Sequence, residues 1–232
     1  MLRLLHRLYG SLAWRARRLL RILYHTEDVA FWGGDVGDAP WYPDLEKLDD
    51  IARNVGFEAR KITRDDLELL REYHRRSGRP LGPRRIRKLH ERWAAGDECY
   101  VAIDREGSVA ACMWVAYNDH YIEAIHDVFP VGPSDVLSYD VDTRPDKRGS
   151  MGFLACSCAS VAEGIRRGRR RGISWSSPHL FEEFRRVHWF SGLGTPHLFR
   201  IVRYRCICGL RFRSVVEAPE DDPDERPRED VQ

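Results

Sequence analysis

The chain has 232 residues, 43% of them hydrophobic and 32% charged, which suits a soluble globular protein built as one domain with appendages or as two small domains. The formal net charge is only +2, but it is unevenly spread: residues 1–24 carry six arginines and no acid, whereas residues 217–232 carry eight acids against two arginines. No window is long and apolar enough to span a bilayer, arginines interrupt the first 24 residues so that no signal peptide is expected, and no internal repeat is present.

In chain order, the first segment (1–30) reads as a basic amphipathic helix. Leu4, Leu5, Leu8, Leu12, Ala16, Leu19 and Leu23 share one face, and all the arginines but Arg15 fall on the other. Such a helix suits an anionic membrane surface, at about 1 kcal/mol per Arg, which predicts a cytoplasmic protein with peripheral membrane contact through residues 1–24. The alternative is that its apolar face docks on the domain or on a second copy, making a homodimer. Residues 31–55, with "FWGGDVGDAPWYPDL", are rich in Gly and Pro and read as a linker or laid-down loop.

The compact domain is expected over 56–216. "FEARKI" alternates like a strand, Thr63 can cap a helix through "RDDLELLREYHRR", and Pro83 opens a second helix. "CYVAID", "SVAACMWVAYN" and "YIEAIHDVF" follow with short turns and predict a three-strand antiparallel meander. "DVLSYDV" is the next strand, then the loop "TRPDKRGS" and a long helix. "ISWSS" is a short strand, "PHLFEEFRRVHWF" a helix, and "HLFRIVRYRCICGLRFRSV" one or two closing strands. The acidic segment 217–232 is expected to be disordered.

The junction after "DVLSYDV" carries the most chemistry. A small, basic loop that opens a helix presents unpaired N–H groups to one point, and the helix dipole favours an anion there. Cysteines supply no competing motif. Cys99, Cys112, Cys156, Cys158, Cys206 and Cys208 form no CxxC pair, and Cys156 and Cys158 are two apart on a helix, where side chains diverge. Buried free thiols are expected, and no metal. "RRGRRR" (166–171) reads as a solvated helix end or, more sharply, as a site for a polyanion or a nucleotide 3′-phosphate.

With this element order and loop, residues 57–215 resemble the GNAT (Gcn5-related) N-acetyltransferase superfamily. The resemblance implies an α+β fold with a mixed, mostly antiparallel central sheet flanked by helices. It also implies acetyl-CoA, or another acyl-CoA, as co-substrate and a small-molecule amine as acceptor. The family's acyl-CoA loop reads Gln/Arg-x-x-Gly-x-Gly/Ala. Here Lys147, Arg148, Gly149, Ser150, Met151 and Gly152 match it, with Lys147 for Gln/Arg and Ser150 for the first glycine. In the family the preceding strand splays from its neighbour, and its backbone, here near Val141, bonds the pantetheine arm. A carboxylate takes the amine proton and a tyrosine protonates the leaving thiolate. Asp140 and Asp142, at i and i+2 on one strand face, and Glu123 are the candidate bases, with His126 as a further one. Phe190 stands where the family has its tyrosine, and His188 is nearby without matching the pattern. Trp114, Tyr117, Tyr121, His126 and Tyr139 would line a mixed acceptor pocket. The N-terminal segment resembles those of GNAT-like proteins encoded with polysaccharide-synthesis enzymes, which implies an amino sugar or glycan precursor as acceptor. A second class of function stays open: a catalytically silent GNAT-like module that uses its basic helix on a membrane or nucleic acid. No nucleic-acid module is recognisable, so nucleic acid is not an expected partner.

Overall fold

The computed structural model describes residues 24–39, 42, 44–123, 127–190, 197–207 and 210–216. The amphipathic face of residues 1–23, the acidic segment 217–232 and His126 lie outside the described residues.

Ten strands and five helices are described. The strands are β1 (Tyr24–Asp35), β2 (Glu58–Ile62), β3 (Glu98–Ile103), β4 (Val109–Ala116), β5 (His120–Ile122), β6 (Asp127–Phe129), β7 (Asp135–Thr143), β8 (Arg171–Ser176), β9 (His197–Ile207) and β10 (Leu210–Val216). The helices are α1 (Glu46–Asn54), α2 (Leu67–Arg76), α3 (Pro83–Ala95), α4 (Gly152–Arg166) and α5 (Pro178–Phe190). Eight strands form one sheet in the order β10-β9-β1-β8-β7-β4-β3-β2, and β5 and β6 form a separate hairpin. The fold is α+β, and the sheet is antiparallel except between β7 and β8.

Local signals account for the helix ends. Thr63 caps the entry to α2, its hydroxyl accepting from the Asp65 N–H while the Asp66 carboxylate accepts from the Thr63 N–H. Pro83 starts α3, and Gly96, at φ 89°, ends it in the left-handed conformation that a side chain resists.

The sheet separates two apolar layers. On one face α2 and α3 bring Leu70, Tyr73 and Leu89 against Val101, Cys112, Trp114, Leu137 and Tyr139, and the hairpin adds Ile122 and Phe129. On the other, α4 lays Ala155 and Cys156 on Ala102, Ala111 and Met113, α1 packs Leu48 against Leu154 and Cys158, and α5 packs Phe181 against Ala30 and Trp32. Each fully buried large side chain contributes about 1.5–3 kcal/mol.

Two expectations are corrected. Residues 31–55 are not a linker, and the helix expected to reach residue 30 has given way to strand by Tyr24. β1 is an interior strand, paired with β8 on one side and β9 on the other, and α1 follows it. The glycines that look like loop punctuation fit the strand because an added Cβ on Gly33 would fall 2.0 Å from the Gly172 carbonyl oxygen. The three-strand meander is also replaced. In place of the third meander strand, β5 and β6 pair off the main sheet, and β7 lies beside β4.

Candidate functional site

The site begins where two strands part. β7 and β8 pair in parallel only from Asp135–Arg171 to Ser138–Ser174, and the Ser174 hydroxyl closes the last rung by donating to the Ser138 carbonyl at 3.2 Å. Beyond it, β7 stays with β4 as far as Thr143, while Trp175 and Ser176 of β8 stay with β1. The facing edges of 139–143 and 175–176 therefore bound a wedge with no ladder across it. A bulge produces the bend. The β4–β7 register shifts between Cys112 and Trp114, and Asp140 sits at φ 45°, a left-handed conformation that aspartate tolerates better than most side chains.

The wedge opens toward the loop 144–151. Arg144 is buried and pins that loop, with its Nε donating to Asp146 at 2.7 Å and its Nη1 to the Val109 carbonyl at 3.1 Å. The Ser150 hydroxyl and N–H both turn back to the Lys147 carbonyl. Gly149 at φ 83° and Met151 at φ 58° then complete the turn into α4. No backbone acceptor among the described residues takes the N–H groups of Gly149, Met151, Gly152 or Phe153. These donors stand at the positive end of a 15-residue helix.

The six loop residues expected to hold the donor, together with Val141, thus divide by role. Val141 lies within the unpaired stretch of β7. Arg148 is exposed, with no ionic partner among the described residues. Lys147 is not aimed at the cradle: its ammonium pairs with Asp104 at 2.9 Å in the β3–β4 turn, a bond that raises its pKa. Gly152 also serves a different purpose from the expected one. A Cβ there would meet the Ala111 and Ala102 methyls at 3.3 and 3.6 Å and Phe57 at 3.7 Å, so glycine lets α4 approach the sheet.

On the α2/α3 face, Asp140 and Asp142 both meet arginines, although the bulge between them breaks the simple i, i+2 alternation. Arg92 of α3 pairs with Asp140, and Arg79 beyond α2 pairs with Asp142 at 2.6 Å. Glu123 pairs with Lys88 at 2.6 Å, which lowers its pKa and weakens it as a base. His188 lies in α5, but its side chain is outside the described residues. The predicted aromatic pocket does not assemble. Trp114 and Tyr139 belong to the α2/α3 core and Tyr117 to the α4 core on the opposite face, while Tyr121 is half exposed.

A polar cluster that the sequence reading missed lies beside Asp140. The Tyr139 hydroxyl donates to Asp97 at 2.6 Å, and the His120 ring lies 3.9 Å from that of Tyr139, with Nδ1 3.7 Å from Asp97. The Arg92 guanidinium stands 5.0 Å from both the Trp114 and Tyr139 rings. Burial lowers the His120 pKa and raises that of Tyr139. The sequence signal for His120 is its place at the start of a short alternating run.

Cys99, Cys112, Cys156 and Cys158 are free and buried, and burial raises each thiol's pKa, which makes them poor nucleophiles. The arginines of "RRGRRR" are largely occupied at the far end of α4, roughly 22 Å from the loop. Arg167 bonds Glu98 and Glu163, Arg169 bonds the Gly132 carbonyl, and Arg171 bonds Asp135. That position rules out a shared phosphate site with the loop. No described helix is long and apolar enough to cross a membrane.

No family model matches the sequence, and no curated protein does. Solved structures do. The GCN5-related glucosamine N-acetyltransferase region of a fungal multi-domain GH3 β-N-acetylglucosaminidase superposes with a TM-score of 0.53 at 17% identity, over 88% of this chain and 23% of that one. A GCN5-related N-acetyltransferase from Sphaerobacter thermophilus gives 0.47 at 14% identity, over 90% of this chain and 58% of that one. This chain therefore spans less than two thirds of either relative. The likeness shows the fold: this chain has the fold of the GCN5-related N-acetyltransferase region on which it superposes.

Proposed function

We propose that the protein is an acyl-CoA-dependent N-acyltransferase that moves an acetyl group from acetyl-CoA to a primary amine by direct attack. The observation that supports this reading is the wedge between β7 and β8, which leads from the unpaired N–H groups at the start of α4 to the carboxylates of the α2/α3 face. The pyrophosphate of the donor would meet the N–H groups of 149–153 and Arg148, and the pantetheine arm would take the place of the missing ladder along 139–143. The amine nitrogen attacks the thioester carbonyl, the carbon–sulfur bond breaks with its electrons on sulfur, and the amine proton passes to a base. Asp140 is the favoured base because it stands in the wedge at its narrow end. Asp142 is the next candidate, and Glu123 is the weakest of the three. With Phe190 at the usual tyrosine position, the CoA thiolate, which is a good leaving group, departs without a tyrosine acid. An amino sugar or glycan precursor remains the acceptor class that the sequence resemblance implies.

A second reading, a GNAT-like module that binds but does not turn over, is favoured by one observation: Asp140, Asp142 and Glu123 are each held by a cation. A thiol-release assay with acetyl-CoA and a panel of primary amines separates the two. Amine-dependent appearance of CoA thiol, abolished in Asp140→Asn with donor affinity kept, is the expected result. Donor binding with no amine-dependent thiol would establish the silent module instead.

A further inference from the structure

Three strands across the sheet put Trp175, Phe31 and Arg200 in one row. Phe31 of β1 is the register partner of Trp175 in β8 and of Arg200 in β9, and directly paired residues share a face. Phe31 belongs to the core on the α2/α3 side, and Trp175 packs against it, so the row lies on the face that carries Asp140. Trp175 is also the first residue of β8 beyond the last rung shared with β7, at the narrow end of the wedge.

Two donors in this row are unsatisfied. The Trp175 indole Nε1 and the Arg200 Nε are buried without a hydrogen-bond partner among the described residues. The Arg200 guanidinium lies 5.2 Å from the Phe31 ring and 5.6 Å from the Phe129 ring, and those rings are themselves stacked at 4.8 Å. Stacking on a ring leaves the in-plane N–H groups of a guanidinium free to bond at its edge. Neighbouring arginines of the closing strands have acids: Arg203 pairs with Asp28 at 2.7 Å and Arg213 with Asp127. Arg200 has no such acid among the described residues. A buried, unpaired N–H is costly to keep, and two of them beside an aromatic platform make a site for an acceptor of hydrogen bonds that carries negative charge.

We propose that Arg200 and Trp175 form an anion subsite for the acceptor, so that the substrate is a primary amine that also bears an oxyanion, either a carboxylate or a phosphate ester. Adjacent strands are about 4.8 Å apart. Phe31, under the guanidinium, is two strands from β7, which places the oxyanion on the order of 10 Å from the carboxylates of that strand. The assignment of this ligand as acceptor rests on the acyl-transfer reading; the affinity for an oxyanion does not.

The test uses the full chain and matched pairs that differ in the anion: free tyrosine against tyramine, and glucosamine 6-phosphate against glucosamine. Each is titrated calorimetrically into the protein with and without desulfo-CoA, so that failure of donor binding is seen separately from failure of anion recognition. In at least one pair the anionic member is expected to bind about tenfold tighter or more, and the pair that responds distinguishes carboxylate from phosphate. Arg200→Gln should reduce the preference to within about twofold with desulfo-CoA affinity unchanged, and Trp175→Phe should weaken the preference about threefold. If Arg200→Gln does not fold, Trp175→Phe carries the test, because it removes the N–H and keeps a ring. Equal binding within every pair, no binding of any of the four, or a preference that survives these substitutions would overturn the proposal.

Discussion

The two ends of the β7–β8 pair are built in opposite ways. At the closed end Asp135 accepts two bonds from Arg171, both at 2.8 Å, and one from the Gly132 N–H at 3.1 Å. The N–H groups of Arg170 and Arg171 both donate to the Ser134 carbonyl at 2.8 and 2.9 Å, and Gly33 packs on Gly172. At the open end the ladder stops after Ser138 and Ser174, Asp140 and Met151 adopt left-handed backbone, and a row of N–H groups faces no backbone acceptor among the described residues. A sheet interrupted at one end has to be secured at the other, and the polar contacts that do so are far from the chemistry. Stability and donor binding should therefore separate by position along this strand pair.

The largest break in that comparison is Gly33→Ala. The new Cβ would lie 2.0 Å from a backbone oxygen that no rotamer change can move, so β1 and β8 must part, at a cost of about 3 kcal/mol or more. A fall of many degrees in melting temperature is expected. A fall of only one or two degrees would show that the closed end is more compliant than its geometry indicates.

Asp135→Asn comes next. Asp135 is buried, and Arg171 lowers its pKa. The substitution is expected to cost about 1–3 kcal/mol near pH 7. Because the folded pKa lies below the unfolded one, the stabilisation is present above about pH 4 and is lost as pH falls through the folded value. The gap between denaturant melts of the two proteins should thus narrow as pH falls below about 4, and a gap that stays constant from about pH 7 down through the acid range would exclude this ion pair as the cause.

The smallest effects sharpen the open end. Arg148→Gln should weaken acetyl-CoA about 3- to 10-fold with no change in melting temperature, as expected for one exposed charge near a phosphate. Lys147→Gln should do the reverse, lowering the melting temperature slightly through the lost Asp104 pair, with donor affinity nearly unchanged. If Lys147→Gln weakened the donor as much as Arg148→Gln, the loop would have to rearrange on binding.

The helices, the closing strands and the loop that enters α4 were legible because periodicity and caps are local. β1 was not, because Gly33 and Gly34 carry no strand signal; the reason for glycine there is the close approach of Gly172, 139 positions away. The hairpin of β5 and β6 was read as a sheet strand because three-residue strands hold too little pattern to choose a partner. At the site, the loop that enters α4 is legible from its sequence pattern, but the wedge depends on a bulge set by pairing with β4. The turning of Lys147 to Asp104 and the row of Trp175, Phe31 and Arg200 are matters of tertiary contact and register. Nothing within a few residues of any of them announces the arrangement.

The measurement that tests the account most directly is a calorimetric titration of acetyl-CoA into the full chain, with ATP as the control for a phosphate group alone. The wedge and the open N–H groups predict micromolar binding of acetyl-CoA, on the order of −8 kcal/mol, and much weaker binding of ATP. No heat up to millimolar acetyl-CoA would contradict the account and reduce the loop before α4 to an ordinary turn.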